Sequence, residues 1–227
     1  MKTRSLFLAG MAAVVVATGA QAEVHFELGV GVTKYRTGPD GLWYQQGQAP
    51  YLDLRSPMVS AGLTGPIYSR GSWGIDWHAN YVNLGHSSVQ CLCTPRDENY
   101  STASHQKLNA YDVPDANFQG NGNAQGVALT VEPYIVRSGW RFGLEAGPFI
   151  HRNAFDEVIG NWKVDPNAAP QTLTVSTSRR LSIGSVVGVS VGRGNFRVSY
   201  KHYFMPQRGE YPALWKGADV IELKYVF

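Results

Sequence analysis

The sequence is poor in charged residues and in cysteine, and both shortages narrow the class of protein. Charged residues make up 16% of the 227 residues, and two residues are cysteine. Beyond the N-terminus, no apolar run approaches the ~20 residues that a membrane-spanning helix needs. No basic run is present either, so the sequence carries no electrostatic footprint for nucleic acid. Instead, the chain is rich in glycine (25), tyrosine (12) and tryptophan (6), which excludes a disordered chain and favours short strands.

The N-terminus has the composition of a secretory signal peptide. Lys2 and Arg4 precede a short apolar core at residues 6–16, and Ala20-Gln21-Ala22 matches the small-x-small cleavage pattern. A transmembrane anchor is the alternative, but the apolar run is too short for one. We therefore predict a cleaved signal peptide over residues 1–22 and a mature domain over 23–227. Cleavage removes two cations and no carboxylate, which lowers the formal net charge from +3 to +1.

Apolar and polar residues alternate with period two through eight segments of the mature chain, the pattern of strands with one apolar face. In the first segment Val24, Phe26 and Leu28 alternate with polar residues or glycine. The other segments lie at about residues 58–64, 73–81, 127–135, 141–150, 181–191, 196–201 and 221–227. No helical periodicity of convincing length and no internal repeat is found. The sequence therefore predicts an all-β chain of eight strands.

The polar face of these strands combines opposite charges with many glycine and serine residues, unlike the surface of a soluble protein. Small residues beside paired charges suit a narrow interior, because a lone buried charge is costly. An apolar face toward lipid and a polar interior are typical of a membrane barrel, whose closure satisfies every backbone group. The predicted lumen ion-pair core consists of Glu27, Asp76, Glu132, Arg141, Glu145, Arg197, Lys201, Glu222 and Lys224.

Connection lengths favour the same architecture. Short links are predicted at residues 65–72, 137–139 and 192–195, and long ones at 85–125 and 152–170. Tight periplasmic turns and long outer loops alternate in this way in outer-membrane barrels. We predict an eight-stranded antiparallel up-and-down transmembrane β-barrel with long extracellular loops, both termini on the periplasmic side and no further domain.

Aromatic residues fall at strand ends on the predicted turn side, as in the aromatic girdle of a membrane protein. They are Trp73, Trp140, Phe196 and Phe227. The last strand, with Tyr225 and a terminal Phe227, resembles the C-terminal signature of bacterial outer-membrane proteins. The resemblance implies an assembly signal, Phe227 and Tyr225, that the barrel assembly machinery reads. By architecture, the chain is similar to the OmpA transmembrane domain and OmpW.

The lumen of an eight-stranded barrel is just wide enough for side chains, so a wide pore is not expected. We interpret the interior charges as structural ion pairs. The alternative is a narrow channel for small solutes, opened by rearranging pairs such as Glu145 with Arg197 or Lys201.

Cys91 and Cys93 lie in the longest predicted loop. An exported, oxidising setting favours a disulfide between them, although one intervening residue makes a strained ring. Free thiols are one alternative. A metal site with His86 and His105 is another, but the spacing matches no zinc signature. No metal site and no cofactor is predicted.

His86 and Ser88 lie two apart on one strand face, so that His86 can activate Ser88 as a nucleophile. The element resembles the His-x-Ser of lipid A 3-O-deacylases, eight-stranded outer-membrane barrels in which this pair and a later Glu hydrolyse an acyl ester of lipid A. Glu98 would be the third member here, and Val89 stands where that family usually has Asn. Strand parity places His86 on the interior face with Asp76, whereas catalysis on lipid needs the outer face. A distortion at the loop entry would reverse this, and a plain polar strand end is the other interpretation.

Three further polar features are assigned from position. His202 is predicted at the lipid–water interface near the outer rim. Arg179 and Arg180 are candidates for contact with lipopolysaccharide phosphates, with exposed solvated charges as the alternative. Residues 117–123 are rich in turn formers and are predicted to be a flexible loop.

Together these features favour a non-enzymatic outer-membrane barrel that acts in envelope structure or surface interaction through its loops. The predicted partners are outer-membrane lipid, lipopolysaccharide and, during biogenesis, the barrel assembly machinery; the barrel is predicted to be a monomer. A lipid A deacylase-like esterase and a narrow solute channel remain as alternative functions.

Overall fold

The computed structural model describes residues 23–37, 51–93, 116–162, 169, 171–206 and 215–227. Nearly all of them lie in antiparallel strands. No helix within these ranges is long and apolar enough to cross a membrane. The strands are β1 (His25–Thr37), β2 (Tyr51–Asp53), β3 (Arg55–Arg70), β4 (Trp73–Cys93), β5 (Ala116–Arg137), β6 (Trp140–Trp162), β7 (Gln171–Arg193), β8 (Phe196–Phe204) and β9 (Trp215–Val226).

The strands close into a ring. Hydrogen-bonded neighbours follow the order β4-β3-β1-β9-β8-β7-β6-β5, and β5 pairs back with β4. The predicted eight-stranded antiparallel barrel is therefore confirmed, and closure leaves no free edge around the ring. The short β2, separated from β3 by Leu54, pairs with the upper part of β4 beyond the point where β3 leaves it.

Two-residue turns join the long strands at one end of the barrel, here called the turn end. In the β5–β6 hairpin both Ser138 (φ 51°) and Gly139 (φ 77°) have positive φ, as a type I′ turn requires. Both chain termini of the described barrel lie at this end, where the His25 ring nitrogen Nδ1 is 2.9 Å from the backbone oxygen of Phe227.

At the opposite end, here called the outer end, strands extend into the regions predicted to be loops. β4 continues to Cys93, β5 starts at Ala116, β6 runs to Trp162 and β7 starts at Gln171. Within the predicted loops 85–125 and 152–170, the described residues 85–93, 116–125 and 152–162 are strand, and residues 117–123 pair with both β4 and β6. The period-two signal is missing there because polar residues occupy both faces.

The barrel wall is apolar outside. Val30, Leu144 and Ile183 are 59%, 62% and 68% exposed, although each sits in a regular strand. The interior has two layers. The charged layer lies toward the turn end, and an apolar layer, which the sequence did not predict, lies toward the outer end. We call the apolar layer the outer plug; its largest side chains are Tyr35, Phe149, Phe155, Tyr203, Met205 and Trp215.

Candidate functional site

The charged layer of the lumen, here called the lumen charge network, is built around three groups of contacts. In the first, Oε1 of the buried Glu27 accepts hydrogen bonds from Lys224 Nζ at 2.8 Å and from Asn80 Nδ2 at 2.5 Å. The imidazole of His78 lies against the same carboxylate, with Nδ1 3.2 Å from Glu27 Oε1. These residues come from β1, β4 and β9, so the contacts cross the lumen rather than follow one strand.

The second group centres on Glu132 of β5. Its Oε2 accepts from Arg141 Nη2 at 2.5 Å, from Arg197 Nη1 at 3.3 Å and from His78 Nε2 at 3.1 Å. Asp76 contacts the same two arginines, with Oδ2 2.7 Å from Arg141 Nη2 and 3.8 Å from Arg197 Nη2. Arg141 also lies over the ring of Tyr134. His78 therefore joins the first group to the second.

The third group is centred on Lys201. Its Nζ is 2.8 Å from Glu145 Oε2 and 3.1 Å from Glu222 Oε2, and all three side chains are at most 5% exposed. The hydroxyl of Thr130 donates to Glu145 at 2.7 Å, and the hydroxyl of Ser60 donates to Glu222. Every carboxylate in this group therefore has a cation and a hydroxyl partner, as burial demands.

The protonation state of His78 follows from its two contacts. Each ring nitrogen faces a carboxylate oxygen, Glu27 on one side and Glu132 on the other, so both nitrogens must donate. Such an imidazolium carries one positive charge. The five carboxylates of the network, each held by a cation, are then balanced by the two arginines, two lysines and His78.

Glycine makes the room for these carboxylates. A Cβ atom at Gly29 would lie 2.2 Å from Glu222 Oε1, and one at Gly143 would lie 2.1 Å from Glu132 Oε1. Both distances are far below van der Waals contact, so a side chain at either position would displace a buried charge. The mixture of small and charged residues on the polar face thus has a steric reason.

All nine residues predicted for the ion-pair core lie in the lumen, and each takes part in an ion pair of the network. Glu145 pairs with Lys201, while Arg197 instead contacts Asp76 and Glu132. Sequence reasoning left His78 out of the core. Its position on the polar face of the same strand as Asp76 was the available signal.

Above the network, aromatic side chains fill the outer plug. The ring of Phe149 is 4.8 Å from that of Tyr203, and Trp215 is 4.7 Å from Tyr35, measured between centroids. The Tyr35 hydroxyl donates to the carbonyl of Gly85 at 2.7 Å and accepts from the Ala124 amide at 3.2 Å. These contacts tie β1, β4, β5, β6, β8 and β9 together across the lumen.

Gly85 marks a β-bulge that reverses the facing of β4. Its φ is +79°, a Cβ there would lie 2.2 Å from the Pro57 carbonyl oxygen, and the pairing with β5 shifts between Asn83 and His86. Before the bulge the even-numbered side chains point inward, ending with the fully buried Leu84; after it Ser87 and Val89 are buried. The parity argument that placed His86 in the interior is therefore wrong, because one extra residue exchanges the two faces.

His86 and Ser88 consequently share the outer face. His86 is exposed and Ser88 is half-buried. In the strand register Ser88 lies opposite Asp53 of β2 on one side and Asn121 of β5 on the other, while His86 lies opposite Asn123. Within the described ranges the His86 ring and the Ser88 hydroxyl make no hydrogen bond with each other. Glu98 and His105 lie outside the described residues.

Cys91 and Cys93 lie in β4. They belong to the last residues of β4 and pair with Phe118 and Ala116 of β5, so they lie in a strand rather than in a loop. The disulfide between them stays a prediction. Among the described residues no group of three or more His, Cys, Asp or Glu side chains forms a metal site.

Polar side chains also contact one another on the outside of the barrel near its outer end. Asp219 accepts from His202 Nδ1 at 2.7 Å, from the Tyr200 hydroxyl at 2.9 Å and from Arg36. His202 is half-buried in this cluster.

Further from the turn end, Arg179 donates to Asp156 across β6 and β7. This contact lowers the pKa of the Asp156 carboxyl. Arg180, the other predicted contact for lipopolysaccharide, is exposed on β7.

Exposed aromatic rings gather at the turn end. The ring centroid of Phe227 lies 5.6 Å from that of Phe26 and 4.8 Å from that of Tyr225. Trp73 and Trp140 are also exposed there, 46% and 43% respectively. The predicted assembly signal at Phe227 and Tyr225 therefore sits on the outside of the closed barrel.

The sequence matches no family model and no curated protein. Among solved structures, the fold is similar to Ail, the attachment invasion locus protein of Yersinia pestis, in complex with the heparin analogue sucrose octasulfate. That pair has 12% identity and a TM-score of 0.42, covering 90% of this chain and 99% of Ail. Neisserial surface protein A is similar with 10% identity and a TM-score of 0.33, covering 92% of this chain and 100% of that protein. The likeness to these structures concerns the fold alone; the closed ring of eight strands follows from the strand pairing.

Proposed function

We propose that the protein is a non-conducting barrel of the bacterial outer membrane, where it is inserted after removal of its signal peptide. An apolar wall around a charged interior is stable in lipid, because each exterior side chain then meets hydrocarbon and every wall hydrogen bond is made internally. The apolar exterior of β1, β6 and β7 supports this location.

The filled lumen supports a role other than transport. A solute would have to pass the lumen charge network and then the outer plug, and both are made of buried side chains in mutual contact. A cavity of about 420 Å³ opens at the turn end beside Asp76, Arg141 and Arg197. It ends at the network, so it is a vestibule and not a path.

The observation that carries the functional proposal is the length of the strands beyond the outer end. β6 continues for seven residues past Phe155 of the outer plug, or about 24 Å of strand at ~3.4 Å per residue. There β4, β5, β6 and β7 form a sheet that rises from the barrel. β8 pairs with β7 as far as Ser185, whereas β6 pairs with β7 as far as Gln171, so this part of β7 extends beyond the end of β8.

We infer that this raised sheet is an adhesive surface that binds an extended polypeptide segment at the β7 edge. Strands that rise beyond the barrel can bind an extended peptide as a further strand through backbone donors and acceptors. Thr172, Thr174 and Thr177 along this edge are exposed and polar, which suits the binding of a peptide from water.

The test is a variant whose raised sheet is shortened while the barrel is kept. Replacing residues 157–176 with Asn-Gly joins Asp156 and Thr177, which are already register partners, through a two-residue turn. We expect cells that display the intact protein to adhere to immobilised extracellular-matrix proteins several-fold better than cells displaying the variant. Heat-modifiable gel mobility must show that both barrels are folded. Equal adhesion by the two would contradict the proposal, and ion conductance of the purified intact barrel in a planar bilayer would contradict the sealed lumen.

A second candidate function is hydrolysis of a lipid ester, and the bulge at Gly85 is the observation that favours it. It turns His86 and Ser88 to the outer face, which is where a membrane lipid would approach. Asp53, opposite Ser88, brings a carboxylate to the same face, although the register places it beside the serine rather than beyond the histidine.

Lipid A mass spectrometry separates this candidate from the first. If the pair is catalytic, lipid A from cells with the protein lacks an acyl chain, and Ser88→Ala abolishes this loss. The control Ser87→Ala changes a buried neighbour and leaves the outer face intact, so the acyl chain is still lost. An acylation pattern that is the same with and without the protein excludes the esterase.

A further inference from the structure

Four outward-facing polar residues lie side by side in one lateral row at the outer end of the barrel. The register pairs His202 of β8 with Asp219 of β9, Asp219 with Lys34 of β1, and Lys34 with Arg55 of β3. Lys34 and Arg55 are therefore direct cross-strand neighbours, and both are exposed. Two like charges in this relation repel each other and destabilise a sheet.

The nearby carboxylates Asp219 and Asp53 contact groups other than the Lys34 and Arg55 side chains. Asp219, the carboxylate of the row, is held by Arg36, His202 and Tyr200. Asp53 lies on the same face two residues from Arg55, where its Oδ1 accepts from the Arg55 backbone amide at 3.4 Å. In the part of the chain that the structure describes, neither Lys34 nor Arg55 forms an ion pair. Arg36, above the pair, is compensated by Asp219.

The position of Lys34 and Arg55 along the barrel axis indicates which part of a lipid lies beside them. In β1 the outward residues directly below are Val32 and Val30, 56% and 59% exposed, and in β3 the next apolar outward residue is Val59 at 53%. On β1 and β3 the apolar exterior thus ends where the two cations begin. In a membrane, that boundary is the level of the lipid headgroups.

We propose that Lys34 and Arg55 form a binding site for a phosphate monoester of the glycolipid in the outer leaflet, with Arg36 at its upper edge. A guanidinium offers a planar fork of donors and an ammonium a mobile point charge, and together they suit the three oxygens of a phosphate. A bound dianion turns the repulsion between the cations into two attractions. The site belongs to the lipid rather than to a free ion because it lies on the wall beside the acyl chains. It rests on the proposed outer-membrane location.

The test compares lipid A carrying its phosphates with enzymatically dephosphorylated lipid A, each titrated into the purified full-length barrel in neutral detergent. The variant combines Lys34→Gln with Arg55→Gln. Its charge-matched control combines Arg137→Gln at the turn end with Arg152→Gln at the outer end of β6, both exposed and away from the pair. We expect the variant to bind phosphorylated lipid A at least about tenfold more weakly, because charge-assisted hydrogen bonds are lost. The control and the wild type should bind equally.

A stability measurement gives a second, opposite readout. In neutral detergent without lipid the Lys34→Gln/Arg55→Gln variant should unfold at a slightly higher temperature than the wild type, since the repulsion is gone. With phosphorylated lipid A the order should reverse. Equal binding by variant and wild type, or equal binding of the dephosphorylated lipid, overturns the site.

Inorganic phosphate distinguishes the two sources of the anion. Stabilisation by phosphate alone to the same extent as by lipid A overturns the assignment to a lipid. Failure of the membrane location would show differently, as a barrel recovered from the soluble fraction of cells.

Discussion

Removing the cation from the third group of the lumen charge network should destabilise the barrel strongly. In Lys201→Met a side chain of similar length replaces an ammonium that lies 2.8 Å from Glu145 and 3.1 Å from Glu222. At an effective dielectric constant of about 20 these attractions amount to roughly 6 and 5 kcal/mol. The methionine recovers several kcal/mol of lysine desolvation, so the expected net loss of unfolding free energy is about 3–5 kcal/mol.

The assay is a urea titration of the folded barrel in detergent micelles, followed by tryptophan fluorescence and by gel mobility of unheated samples. Lys201→Met combined with Glu145→Gln restores the charge balance of the network and should regain a substantial part of the loss. Arg70→Met, which removes an exposed cation at the turn end, should change stability by less than about 1 kcal/mol. A Lys201→Met barrel within about 1 kcal/mol of the wild type would refute the view that these buried charges depend on one another.

Three other outcomes follow from the geometry. Gly143→Ala should cost about 1–3 kcal/mol or prevent folding, since its Cβ would overlap the Glu132 carboxylate; chemical denaturation measures this. Phe149→Ala in the outer plug should cost about 3–5 kcal/mol, yet planar bilayers should stay silent because the charge network still closes the lumen. The pKa of Asp156 lies below its usual 3.8 because Arg179 donates a hydrogen bond to the carboxylate. The contact therefore slightly stabilises the fold above pH 3.8, and this stabilisation is lost as the pH falls through the lowered pKa of the folded protein. An NMR titration that finds an unshifted Asp156 in the wild type, or no difference from Arg179→Gln, would contradict the contact.

Much of the wall was predictable because strands with one apolar and one polar face obey a simple alternation. The apolar positions of the first strand and the charged positions of the others could be read directly, since each side chain meets either the exterior or the lumen. The outer plug was harder to predict. Phe149, Tyr203 and Val220 are apolar residues on the inward face, and a period-two pattern cannot tell which apolar face points to lipid.

The partners within the lumen could not be predicted either. Glu132 has hydrogen-bonding partners on β4, β6, β7 and β8. Whether these side chains come into contact depends on the stagger of every strand in the closed ring. The pairing of Glu145 with Lys201 rather than Arg197 is set by height along the barrel axis. Sequence separation carries no information about that height.

The sequence by itself determined the eight strands of the ring, the tight turns at one end and the strand faces that carry the lumen charges, because these depend on local alternation and turn chemistry. Only the tertiary structure decided where His86 and Ser88 point and that Lys34 lies beside Arg55. The first depends on one bulge at Gly85, which exchanges the two faces of β4 and cannot be recognised from the apolar–polar alternation of the sequence. The second depends on register between strands, which hydrogen bonds across the ring fix and no single strand contains.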